Sequence, residues 1–139
     1  MKRFAAVLLA LTSCAIPLDP DASKSIPTEL AVAKLQELLP TAAYVNCFDP
    51  RVTIDQADIR SWSVTNEALE FRTEGRVPFR LFWAVSRGAE LVQVPLRYEV
   101  RVYMTAPGNE RKILYHFNWK EETPARRAAE LFESLRGDR

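Results

Sequence analysis

The chain has 139 residues, 27% of them charged and 47% hydrophobic, with a formal net charge of +1. That is enough for one sizeable core and too little for two. The near-neutral balance lacks the basic excess of a nucleic-acid-binding domain. Four Gly leave no glycine-rich phosphate loop, and one His with two Cys offers no metal-ligand spacing, so we expect no cofactor and no metal.

Met1-Lys2-Arg3 starts the chain with two positive charges, and an unbroken apolar run follows from Phe4 to Leu11. A membrane-spanning helix needs ~20 such residues, so this run is too short to span. A charged start, a short apolar stretch and small residues after it describe a secretory signal peptide over residues 1–13. Leu11-Thr12-Ser13-Cys14 resembles the lipobox of bacterial lipoproteins. The resemblance implies cleavage before Cys14, a diacylglyceryl thioether on its sulfur and an acylated new amino terminus, with palmitate-type chains. Two or more acyl chains anchor a protein stably where one binds reversibly. Ala15 stands where an Asp would favour inner-membrane retention, so the resemblance implies the outer membrane, with the domain facing the periplasm. Cleavage would remove Lys2 and Arg3 and leave the mature chain close to neutral, with no pull towards nucleic acid or anionic lipid. Cys47 would then lack a disulfide partner within the chain, and we expect it to be a buried, inert thiol, the alternative being a reactive one.

Ala15 to Ser25 is rich in Pro, Asp and Ser and has no apolar periodicity. It predicts that residues 14–25 are the lipidated cysteine and a flexible tether of ~35 Å reach, with a single domain over 26–136. Pro27-Thr28-Glu29 opens a helix. Ala31, Val32, Leu35, Leu38 and Leu39 form its apolar face, and Pro40 stops it. The face has no basic or aromatic flank, so it should pack on the domain rather than lie on the membrane.

From Thr41 the period changes to two. Tyr44–Phe48 and Val52–Ile54 predict short strands about an Asp49-Pro50 turn. Ile59–Val64 and Leu69–Thr73 predict a hairpin around Thr65-Asn66-Glu67, with Trp62, Val64, Leu69 and Phe71 pointing inward. Three alternating segments follow: Val77–Ser86, Val92–Met104 and Ile113–Trp119. Each predicts a strand with one buried and one wetter face. Arg87-Gly88-Ala89 and Pro107-Gly108-Asn109 mark the tight connections, and Pro95 an edge or bulge. Thr123 as N-cap and Pro124 at the first helical position open a last helix. Ala128, Leu131, Phe132 and Leu135 form its buried face, and Gly137 ends it.

The expected class is therefore α+β: an N-terminal helix, an antiparallel meander of six or seven strands curled into a sandwich or partly open barrel, and a C-terminal helix. Asp58–Trp62, Leu69–Phe71, Leu114–Phe117 and Ala128–Phe132 resemble the pleckstrin-homology-like superfold over roughly residues 41–136. That resemblance implies a final helix closing one end of the barrel. It implies no particular ligand.

His116 is the only histidine and falls on the polar side of its strand, as a surface residue. Cys47 with His116 is the one catalytic dyad the chain could build. A hydrolase would otherwise need two carboxylates facing a cleft. Asp49, Asp55, Asp58, Glu67, Glu70 and Glu74 instead fall at turns and outward strand positions. No catalytic residue is assigned. Trp62, Trp83 and Trp119 occupy apolar-facing positions, as core fillers or, alternatively, as an aromatic ligand platform. Phe82, Tyr103 and Leu114 are apolar residues on otherwise polar strand faces. They form a candidate binding patch unless Leu35 and Leu39 of the first helix cover them. Arg97, Glu99 and Arg101 alternate charge as on a solvated face with cross-strand pairs.

These features predict a lipid-anchored, non-enzymatic envelope protein that binds or helps assemble another envelope protein. Its expected partners are the membrane, through Cys14, and that protein. One alternative is carriage of a small hydrophobic ligand, which needs an interior cavity. The other is a hydrolase, which needs Cys47 and His116 within hydrogen-bond reach.

Overall fold

A computed structural model describes residues 13–108 and 110–138. The signal peptide expected over 1–13 lies, but for Ser13, outside the described residues. In chain order the elements are β1 (Cys14–Ile16), α1 (Pro20–Lys24), α2 (Thr28–Leu38), β2 (Tyr44–Phe48), β3 (Arg51–Asp55), β4 (Ile59–Val64), β5 (Ala68–Thr73), β6 (Phe79–Phe82), β7 (Ser86–Val94), β8 (Arg97–Thr105), β9 (Arg111–Trp119) and α3 (Glu122–Ser134). The class is mixed α+β. The strands form two open antiparallel sheets, one in the order β1-β7-β8-β9-β2-β3 and one in the order β4-β5-β6. The expected single meander is thus divided. Short 3-10 turns at Gln56–Asp58 and Trp83–Val85 carry the chain out of the large sheet and back. The second of these ends β6 at Phe82, inside the stretch expected to run to Ser86.

The stretch expected to be a tether is structured. Cys14, Ala15 and Ile16 pair with Gln93, Val92 and Leu91, adding β1 to the free edge of β7. Asp19 caps α1, its Oδ1 accepting the Asp21 N–H at 2.9 Å. The Pro17 carbonyl accepts a hydrogen bond from Arg126 on α3 at 3.2 Å. A three-residue strand and a single-turn helix are too short to carry a periodic signal, so composition alone had suggested a linker.

The expected long strand over 92–104 is two strands joined at Pro95-Leu96, with Val94 opposite Arg97. Pro95 fixes a negative φ, and Leu96 takes the left-handed region at φ 67. A two-residue turn reverses the even/odd pattern. Leu91 and Val100 share the inner face, while Val92 stands beside Glu99 on the outer one. Arg87-Gly88-Ala89, expected as a turn, is a bulge within β7, where the register shifts between Ser86 and Ala89 and Gly88 has φ 92.

α3 begins before the expected Thr123 cap. Glu121 is the N-cap without a side-chain bond, and Thr123 and Pro124 lie in the first turn. Beyond the helix, the Gly137 N–H donates to the Ser86 carbonyl at 2.9 Å. A Cβ at Gly137 would overlap the Trp83 and Ala84 carbonyl oxygens, so this close approach requires glycine.

The inner face of the large sheet is covered partly by α3 and partly by the small sheet. Phe132 of α3 stacks on Phe117 of β9 at 5.1 Å between centroids. Phe71 of β5 meets Tyr115 of β9 at 5.7 Å. Trp62 lies 4.9 Å from Phe71 and 6.2 Å from Phe117. α2 closes the core with Ala31 and Leu35, and the 3-10 turn Leu39–Thr41 that follows adds Leu39. Each indole N–H finds an acceptor: Trp62 on Gln56, Trp83 on the Thr65 carbonyl and Trp119 on the Thr41 hydroxyl. Trp83 and Trp119 are buried and Trp62 half-buried, as core fillers.

Candidate functional site

The outer face of the large sheet carries a connected set of polar and charged side chains. On β8 the alternation puts Arg97, Glu99, Arg101 and Tyr103 on that face. β9 adds His116 and Asn118 beside them, because Glu99 pairs with Asn118 and Arg101 with His116. β2 adds Tyr44 and Asn46, which pair with Asn118 and His116.

Glu99 is the centre. It is only 5% exposed although it lies on the outer face. Its Oε1 accepts from Arg97 at 2.9 Å and its Oε2 from Arg101 at 3.1 Å. His116 Nδ1 lies 3.4 Å from Oε2. The two guanidinium groups flank the carboxylate and stay partly exposed, with arginine side-chain exposures of 36% and 26%. The expected cross-strand pairing is replaced by bonds to i−2 and i+2 on the same strand, and the expected solvation by burial. Charge-assisted bonds on both oxygens compensate that burial.

Asn118 is fully buried and ties three strands together. Its Oδ1 accepts from Arg97 Nε at 3.2 Å, and its Nδ2 donates to Asn46 Oδ1 at 3.0 Å. Asn46 in turn donates to Thr53 on β3 at 2.9 Å. Arg97 also lies over the Tyr44 ring at 5.7 Å. The result is a fixed lattice that holds two guanidinium groups at set positions. At the far end of the face the Tyr103 hydroxyl donates to Glu90 at 2.6 Å, and Arg111 lies 4.0 Å over the Tyr103 ring. Burial, and then that bond to a carboxylate, push the Tyr103 phenol up to about 12.

The side chains expected to act together are separated. Tyr103 is on the outer face, half-buried by Glu90 and Arg111. Leu114 belongs to the core, because a bulge opposite Val102 and Tyr103 re-aims it. Phe82 is on β6 of the small sheet, 52% exposed. Leu35 and Leu39 enter the core and cover none of this outer face. Cys47 and His116 also part. Asn46 stands directly opposite His116, so Cys47, the next residue, points to the inner face. Cys47 is buried, and burial pushes its thiol up to about 12, disfavouring the thiolate on which nucleophilic reactivity depends. His116 faces Phe48 at 4.7 Å, and its Nε2 is buried without a hydrogen-bond partner. Burial lowers its pKa, Arg101 and Arg97 add to that, and Glu99 opposes it. Among the described residues no three His, Cys, Asp or Glu side chains are placed to hold a metal.

Cys14, the predicted lipidation residue, is exposed at the first position of β1, on the edge of the sheet. Among the described residues no helix is long and apolar enough to cross a membrane. A surface recess of about 400 Å³ opens beside β1, its lining including Ile16, Leu18, Ala89, Leu91, Glu130 and Glu133.

Burial of Glu99 was the feature that sequence reasoning missed. The available signal was the Arg-x-Glu-x-Arg alternation of β8 facing the His-x-Asn of β9. Compared with family models, with curated proteins and with solved structures, the chain matches none of them.

Proposed function

We propose that the protein is a lipid-anchored lipoprotein of the bacterial envelope. It sits on the outer membrane facing the periplasm and serves as a non-enzymatic binding or assembly module. The observation that carries this reading is the position of Cys14. It ends the lipobox-like Leu11-Thr12-Ser13-Cys14 and is exposed at the edge of the fold, where acylation disturbs no core contact. The outer face of the large sheet is the surface we assign to the protein partner. Arg97 and Arg101, held by one buried carboxylate, lose little side-chain freedom on contact, which favours recognition of an acidic partner surface. The resemblance to the pleckstrin-homology-like superfold stays a proposal about architecture and names no ligand.

The alternatives draw less support. Carriage of a hydrophobic ligand needs interior space, and the rings of Phe71, Phe79, Tyr115, Phe117 and Phe132 form a continuous chain of stacked, tilted and edge-on contacts between the layers. A Cys47–His116 hydrolase needs one face for both residues, and the β2–β9 register divides them.

The test is intact mass measurement of protein extracted from its own membranes, paired with Cys14→Ser. A mass carrying acyl chains on Cys14, and loss of membrane retention in the variant, are expected. An unmodified mass with retention unchanged would refute the anchor. Arg101→Gln removes the charge but keeps an N–H donor for Glu99, and should weaken co-purification of an envelope protein, with circular dichroism recording that the fold is retained. Co-purification unaffected by the loss of charge in a folded variant would move the partner site off this face.

A further inference from the structure

We infer that the β7–β8 hairpin tip, Pro95-Leu96, is a membrane-contacting wedge that inserts Leu96 into the same bilayer that would hold the acyl chains of Cys14. The inference rests on the anchor reading and adds an orientation to it. Cys14 pairs with Gln93, three residues from Leu96 along β7 and its turn. At a strand rise of ~3.3 Å per residue and a strand spacing of ~4.8 Å, the tip lies within ~12 Å of the anchoring residue. β1 is held in the sheet and Pro17 is tied to Arg126, so the domain is not swung away on a tether.

Leu96 is unusual in two respects at once. It is 97% exposed, the most exposed of the large hydrophobic side chains among the described residues. It also takes φ 67, a conformation that Gly or Asn adopts with less strain. An apolar β-carbon side chain at that site is strained and gains no contact within the fold. Pro95 stiffens the tip. Bilayer contact supplies the missing burial, and the position of Cys14 selects the bilayer over other apolar occupants. Tyr98 pairs with Trp119, so Arg97 and the Lys120-Glu121-Glu122 that follows Trp119 bring charges of both signs to this end. The contact is therefore apolar rather than electrostatic, and insensitive to the anionic lipid fraction.

The experiment uses full-length protein, extracted acylated and reconstituted in vesicles of phosphatidylethanolamine with and without phosphatidylglycerol. Leu96→Cys carries a nitroxide spin label, which the buried Cys47 does not take up. Pro107→Cys, in the turn beyond the opposite end of β8, is the control, ~30 Å or more from the tip. Intact mass records acylation in the same sample. The expected result is a label at 96 that is accessible to oxygen and shielded from a water-soluble nickel complex, in both lipid mixtures. The label at 107 should show the reverse. Acylated protein with an aqueous label at 96 would overturn the wedge and leave the anchor standing. A label at 96 shielded from both relaxants would also overturn it, since protein would then cover the tip. An unacylated mass would overturn both readings.

Discussion

Asn46 and His116 stand directly opposite each other on β2 and β9, and that single register places Cys47 and His116 on opposite faces of the sheet. Cys47 is thereby a core residue, 1% exposed. Burial raises its pKa to about 12, leaving little thiolate at neutral pH. In a Cys14→Ser background, a thiol reagent at pH 8 should label Cys47 only as fast as the protein unfolds. His116→Ala should leave that rate governed by unfolding in the same way. Labelling of the native protein within seconds would contradict the assignment.

Gln36 is the reason β4 ends without an open edge at its C-terminal half. Its Nε2 donates to the Trp62 carbonyl at 2.9 Å, and its Oε1 accepts the Val64 N–H at 2.7 Å. The side chain acts as one rung of an absent strand. Gln36→Leu leaves both backbone groups without that partner and should cost about 1–3 kcal/mol. Amide exchange at Val64 should accelerate more than at the core strand positions of β9. Equal acceleration everywhere would show that only global stability had changed.

Gly88 and Glu133 share one small volume. Glu133 Oε1 accepts the Ala89 N–H at 2.7 Å, and a Cβ on Gly88 would overlap that oxygen. Gly88 also has φ 92. Gly88→Ala should therefore lose about 2–4 kcal/mol, from backbone strain together with the displaced charge-assisted bond. Urea denaturation reads the difference. A loss within a few tenths of a kilocalorie would mean that the β7 bulge is not held by α3.

Trp83 joins the 3-10 turn to α3. It is buried, its Nε1 donates to the Thr65 carbonyl at 2.9 Å, and its ring lies 6.1 Å from Phe132. Trp83→Ala should cost about 3–5 kcal/mol. Trp83→Phe keeps most of the packing and should cost about 1 kcal/mol for the lost N–H bond. Equal effects of the two changes would point to an exposed indole rather than a packed one.

Periodicity made some of this fold legible. The apolar faces of α2 and α3 put Leu35, Leu39, Leu131 and Phe132 where the spacing says, and β9 buries Tyr115, Phe117 and Trp119 on one face. Alternation failed where one residue changes parity. The turn at Pro95-Leu96 moved Val92 to the outer face, and the bulge by Leu114 moved that side chain inward. β1 left no trace because three residues cannot show a period. Burial of Glu99 depends on Arg97 and Arg101 folding over it, a relation between neighbours that residue type alone does not encode.

The same cluster predicts an acid sensitivity. His116 is packed against Phe48, with Glu99, Arg97, Arg101 and Asn46 around it. Burial lowers its pKa below the ordinary histidine value, and Glu99 compensates only in part. The unfolded chain, titrating near ~6.5, then binds more protons than the folded one over the window below that value. Stability must fall as pH drops from about 6.5 towards the folded pKa, and it is fully present above that window. Urea midpoints measured from pH 7 to pH 5 should decline for the wild-type protein and decline less steeply for His116→Gln, which cannot charge. Parallel declines would assign the acid sensitivity to other groups and mean that His116 binds its proton equally in the folded and unfolded states.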